Sequence, residues 1–90
     1  MNGIELIAKE RQEQIEKHGR TIEQDVQLNT VGQLGFAVVS LCSGNFNKQC
    51  PVGWDKGIWM KMIAKPYAER LVIAGALIAA EIDRLQKQTP

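Results

Sequence analysis

The residues best suited to chemistry are carboxylates spaced along helical stretches. Glu10 and Glu13 form an ExxE pair, with Glu16 a further three residues on. On a helix such neighbours share a surface and come within reach of one hard cation such as Mg²⁺. Asp25 falls in a short connector, and Glu81 at the edge of the apolar face of the last helical stretch. If the helices pack with that connector between them, Glu10, Asp25 and Glu81 converge as oxygen ligands. Phosphate oxygens would then complete the metal shell. On spacing alone the plainer reading is a solvated glutamate face on the first helix and an arginine-paired Glu81.

Arg11, Gln14 and His18 make a second constellation. They fall on the same side of a helical wheel as Ile4, Ile7, Ala8 and Ile15. Buried polar groups need partners. Arg11 therefore pairs with Glu81 or Asp25, or with Gln14 holds a substrate phosphate; His18 suits a helix C-terminus. Trp54 and Trp59 stack on a base or, more simply, fill the core. Lys56, Lys61 and Lys65 are too sparse for a nucleic-acid footprint. No GxGxxG, P-loop, nucleophile elbow or HExxH occurs, and Ser40 and Ser43 have no nearby base. Cys42 and Cys50 form no CxxC and there is a single histidine, so a zinc site is disfavoured. Two reduced thiols are expected, Cys42 on a helix and Cys50 in a loop.

Three segments of helical period position these groups. The first runs from Asn2 or Gly3 to Lys17, capped by Asn2 and ended by Gly19. Asp83 points away from the packed face of the last helix. After a turn at Arg20, Thr21–Gln24 has the capping-box pattern and starts a short helix from Ile22 to about Gln27. Thr30–Gln33 repeats the pattern. It opens a second main helix to Cys42 or Ser43, with Val31, Leu34, Val38 and Leu41 on one face. Gly32 and Gly35 suit close approach of another backbone, and Ser43, Gly44 and Asn45 end the helix. From Phe46 the pattern is irregular. Asp55 then caps a short helix to Ile63, and Pro66 suits the first turn of the last helix, which runs to Lys87.

That last helix is apolar all round between Leu71 and Ala80. A helix of this kind is buried all round. A chain of 90 residues has too little structure to surround it. The expectation is an all-α single domain over residues 1–90: a small helical bundle of three main helices plus a short helical segment. A homo-oligomer forms through the C-terminal helix, with Gly75 and its neighbouring alanines permitting close contact. Eleven Lys and Arg against ten Asp and Glu leave a net charge of +1, which excludes nucleic-acid binding by bulk charge. The ten-residue run from Leu71 to Ala80 is half a membrane span, and no secretory leader is evident, so a cytoplasmic protein is expected.

Glu10-Arg11-Gln12-Glu13-Gln14-Ile15, then Gly19, Thr21, Asp25 and Gly32-Gln33-Leu34, resemble small helical proteins of phages and prophages. Lys65-Pro66 and the block from Ala74 to Leu85, AGALIAAEIDRL, carry the most specific part of the resemblance. Such proteins are distantly similar to MazG-like all-α nucleotide pyrophosphohydrolases. The resemblance implies a Mg²⁺ site at Glu10, Asp25 and Glu81, with nucleoside triphosphate as substrate and water attacking phosphate. Relatives read HDxxH and GEL where this chain has Gln24-Asp25-Val26-Gln27-Leu28 and Gly32-Gln33-Leu34. Two histidines are therefore absent and an amide replaces a carboxylate, which implies a degraded metal site. The alternative function is a non-enzymatic interaction or assembly module that uses the apolar C-terminal helix.

Overall fold

The computed structural model describes residues 1–19, 21–43 and 49–88. Among them are five helices and no strand: α1 (Gly3–His18), α2 (Ile22–Leu28), α3 (Gln33–Cys42), α4 (Lys56–Ile63) and α5 (Tyr67–Gln88). The fold is all-α. α1, α3 and α5 are the three main helices, and α4 is the short segment before the last. The expected turn at Arg20, the helix end at Gly44 and Asn45, and residues 46–48 of the irregular stretch lie outside the described residues.

Most helix ends follow from local chemistry. Asn2 Oδ1 accepts from Glu5 N at 2.9 Å and Asn2 N donates back to Glu5 Oε1 at 3.0 Å, a reciprocal cap. Gly19 closes α1 in the left-handed region, φ 65°. Thr21 Oγ1 and Asp55 Oδ1 accept from Gln24 N and Ile58 N, capping α2 and α4. α3 differs from expectation. It starts at Gln33, not after Thr30, because Gly32 turns left-handed at φ 83° and no side chain caps the helix. Val31 lies outside it and is exposed. Gly32 is thus needed for its backbone angle, whereas among the described residues nothing lies within 4 Å of where a Gly35 Cβ would stand. Pro66 stands one residue ahead of α5, its carbonyl accepting from Arg70 N at 3.0 Å.

α5 is the common support. α1 and α2 pack chiefly on α5, while α3 and α4 pack on α5 and on each other. The apolar core joins Leu34, Ala37 and Leu41 of α3 to Trp59 and Ile63 of α4 and to Ile73, Ala74, Leu77 and Ala80 of α5. α1 contributes nothing to that cluster. Its two buried residues are Arg11 and Gln14, with Ile7 and Ile15 half-buried, while Ile4, Ala8 and His18 are exposed. The contact is rotated from the expected apolar stripe toward its polar edge. Gly75 permits it, because a Cβ there would stand 2.6 Å from Ile7 Cδ1.

Arg70 holds the other end together. Its Nη1 donates to the carbonyls of Leu41 at 3.0 Å and Ser43 at 3.1 Å, and its Nε to that of Lys65 at 3.0 Å. These are carbonyls at the C-terminal end of α3 and in the α4–α5 turn, which lack intrahelical partners. The guanidinium also lies over the Tyr67 ring, 5.4 Å from its centroid. Replacing Arg70 with Met is expected to lower unfolding free energy by about 1–3 kcal/mol in urea titrations. Arg70→Lys is expected to recover only part of this, since one ammonium cannot reproduce the planar fork.

Candidate functional site

α1 and α4 both rest on α5 without packing on each other, and the gap between them is a cleft of about 340 Å³. Glu10, Glu13, Gln14 and His18 form one wall; Ile58, Lys61 and Met62 form the other, with Lys65 and Ile73 at its end. Gln14 Nε2 donates to Glu10 Oε2 at 3.2 Å across one helical turn. Gln14 is 3% exposed, and its Oε1 is buried with no hydrogen-bond partner among the described residues. The cleft therefore combines carboxylates and ammonium groups with an apolar patch.

A second, smaller cleft of about 240 Å³ lies between α2 and the segment before α4, with His18 on the border of both. Asp25 stands here and is 1% exposed. Its Oδ1 accepts from Asn29 Nδ2 at 2.7 Å, and Asn29 Oδ1 accepts from Trp54 Nε1 at 2.8 Å. Trp54 meets Trp59 edge to face, centroids 6.0 Å apart. Trp59 fills the core. The helix spacing of Asp25 and Asn29 makes the first link, and the indole carries it into the loop.

Gln33 belongs to the same seam. Its Oε1 accepts from Val31 N at 2.9 Å, and its Nε2 donates to the carbonyls of Leu28 at 3.0 Å and Val52 at 3.4 Å. An amide is required, because an ionised carboxylate could accept from Val31 but could not donate to either carbonyl. The amide at this position thus has a structural use in this chain.

Two ion pairs tie α5 to itself and to α1. Arg84 Nε donates to Glu81 Oε1, and that bond raises the arginine pKa above its ordinary range. Burial opposes the shift, and the charges of Glu81 and Asp25 add to it. Arg11 Nη2 lies 3.5 Å from Asp83 Oδ2. Asp83, expected to point away, is thus an ion-pair partner of Arg11. Glu10 lines the first cleft, Asp25 the second, and Glu81 is held by Arg84. Among the described residues no group of three or more His, Cys, Asp or Glu side chains is placed to hold a metal ion. As arranged, the three carboxylates do not form a cation cradle. Cys42 and Cys50 are free thiols, Cys42 at the end of α3 and Cys50 outside the helices. No helix among the described residues is long and apolar enough to cross a membrane. Comparison with family models, curated proteins and solved structures finds no match for this chain.

Asn29, Gln33 and Arg70 were not singled out by the sequence as site-forming. The available signals were the Asp25–Asn29 spacing and an asparagine directly after a short helix. What each amide or guanidinium reaches depends on loops that no periodicity places. Gln33→Glu is expected to destabilise the fold by about 1–3 kcal/mol at neutral pH in urea titrations. Two carbonyls facing the introduced carboxyl disfavour its charged form, so its folded pKa rises above the unfolded value of about 4.3. The deficit relative to the parent chain is therefore greatest above the raised pKa. It narrows as pH falls through it, when the protonated carboxyl regains one donor.

Proposed function

We propose that this chain is a non-enzymatic assembly module, of the kind found in phages and mobile elements, that works in the cytoplasm as a homo-oligomer built on the outer face of α5. One observation carries the reading. Leu71, Ile78, Ile82 and Leu85 recur at heptad spacing and are 40%, 46%, 50% and 49% exposed. The opposite face of α5, with Ile73, Leu77 and Ala80, is already buried in the core. A row at this spacing is the seam by which one helix packs along another.

Ile78→Glu places a charge in the centre of the row without touching the core. Sedimentation equilibrium is expected to show an oligomer for the parent chain at tens of micromolar and a monomer for Ile78→Glu, with unchanged helical circular dichroism. A parent chain that stays monomeric at hundreds of micromolar overturns the reading.

A second reading has its own support. The cleft with Glu10, Glu13, Gln14, Lys61 and Lys65, and the unmet acceptor on Gln14, favour a small polar ligand. Under the MazG-like resemblance that ligand is a nucleoside triphosphate, with Arg11 and Gln14 near phosphate and Mg²⁺ at Glu10, Asp25 and Glu81. This reading requires Arg84 to release Glu81. Its test is pyrophosphate release from a panel of nucleoside and deoxynucleoside triphosphates with Mg²⁺ or Mn²⁺. Metal-dependent release lost in both Glu10→Gln and Glu81→Gln supports the hydrolase reading; no release, or release both variants keep, leaves the assembly reading.

A further inference from the structure

We infer that α1 shares the self-association surface, so that each copy contributes two helices, α1 and α5, to a closed two-fold contact; this rests on the proposed assembly through α5. Three features of α1 support it. It docks on α5 through Ile7 against Gly75, and Gly75 belongs to the same row as Leu71, Ile78 and Ile82. α1 therefore lies directly beside the exposed row. Its Glu10 and Glu13 line the cleft toward α4. On the helical wheel Ile4 and Ala8 lie across from that pair. Their edge consequently turns away from α4 and toward the side of the row. Ile4 is 81% exposed and Ala8 is also exposed. The result is a set of exposed apolar residues on two adjacent helices, with no charged residue in the row itself.

The occupant that fits is a second copy of this chain. The row is close to its own mirror image about Ile78, with Leu71 and Leu85 equally far along the helix on either side. Two α5 helices laid antiparallel pair Ile78 with its counterpart and Leu71 with the partner's Leu85. Such self-complementarity is the requirement of an isologous interface. Ile4 and Ala8 of each copy then flank the C-terminal half of the partner's α5, and the four helices share one apolar seam. A net charge of +1 opposes the pairing only weakly.

The test uses the full chain and sedimentation equilibrium. Four proteins are compared: the parent, Ile78→Glu, the double variant Ile4→Glu with Ala8→Glu, and Val39→Glu on α3, an exposed apolar site outside the surface. The expected result is a parent dimer, dissociated by Ile78→Glu, weakened roughly tenfold or more by the double variant and unaffected by Val39→Glu. Dissociation by Ile78→Glu with a parent-like double variant overturns the role of α1 and leaves the α5 reading standing. A monomeric parent overturns both. Equal weakening by Val39→Glu overturns the role of α1, since any added charge would then suffice. Amide exchange on the unmodified chain is a second readout. Protection across α1 must rise with protein concentration; protection that is independent of concentration while the dimer forms overturns the inference.

Discussion

One helix supports all the others. α1 and α2 lie chiefly against α5, and the core that unites α3 and α4 is closed by Ile73, Leu77 and Ala80 on the inner side of α5. A helix has a limited circumference, so positions given to several neighbours leave a remainder. Here the remainder is the row of Leu71, Ile78, Ile82 and Leu85. Small residues make the crowding possible. Ala74, Ala76 and Ala80 bury almost completely, and Gly75 lets Ile7 sit where a Cβ would stand. Close approach also gains dispersion contact that larger side chains would prevent. The same sequence run that reads as apolar on every side is thus used on most sides within one chain.

What α5 does not hold directly is held by fixed polar donors. Arg70 satisfies the carbonyls of Leu41, Ser43 and Lys65, while Gln33 and the Asp25–Asn29–Trp54 chain fasten α2 and the start of α3 to the segment before α4. In a domain this small, hydrophobic area alone leaves little margin over chain entropy. Hydrogen bonds to otherwise orphaned backbone groups are therefore costly to lose. They also account for the fate of the carboxylates. Asp25 and Glu81 are engaged by Asn29 and Arg84, and that engagement competes directly with any cation for the same oxygens.

The fold was legible where it depended on local chemistry. Asn2, Thr21, Asp55 and Gly19 announce their helix ends, and the apolar period of α5 announces both its length and its crowding. The start of α3 was not legible, because Thr30 offers a cap that the left-handed turn at Gly32 makes irrelevant. The facing of α1 was misread for a different reason. Its wheel places Ile4, Ile7 and Ala8 beside Arg11 and Gln14, and periodicity cannot say which edge of that arc meets α5. The glycine notch at Gly75 and the pairing of Arg11 with Asp83 select the polar edge. The carboxylates are the groups whose chemistry suits a cation. Their grouping depends on loop geometry and on competing arginines, neither of which is written in spacing.

α1 connects the two parts of this molecule that remain open. One side of it walls the cleft with Glu10, Glu13 and Gln14, and the other carries Ile4 beside the exposed row of α5. It adds no residue to the apolar core, so its position rests on Ile7 in the Gly75 notch, on Arg11 with Asp83 and on half-buried Ile15. A partner that covered its apolar edge would act on the same helix that walls the cleft. A contact at Ile4 and a ligand beside Gln14 would therefore bias the same element. Their free energies would be linked in sign by whether both favour the same placement of α1.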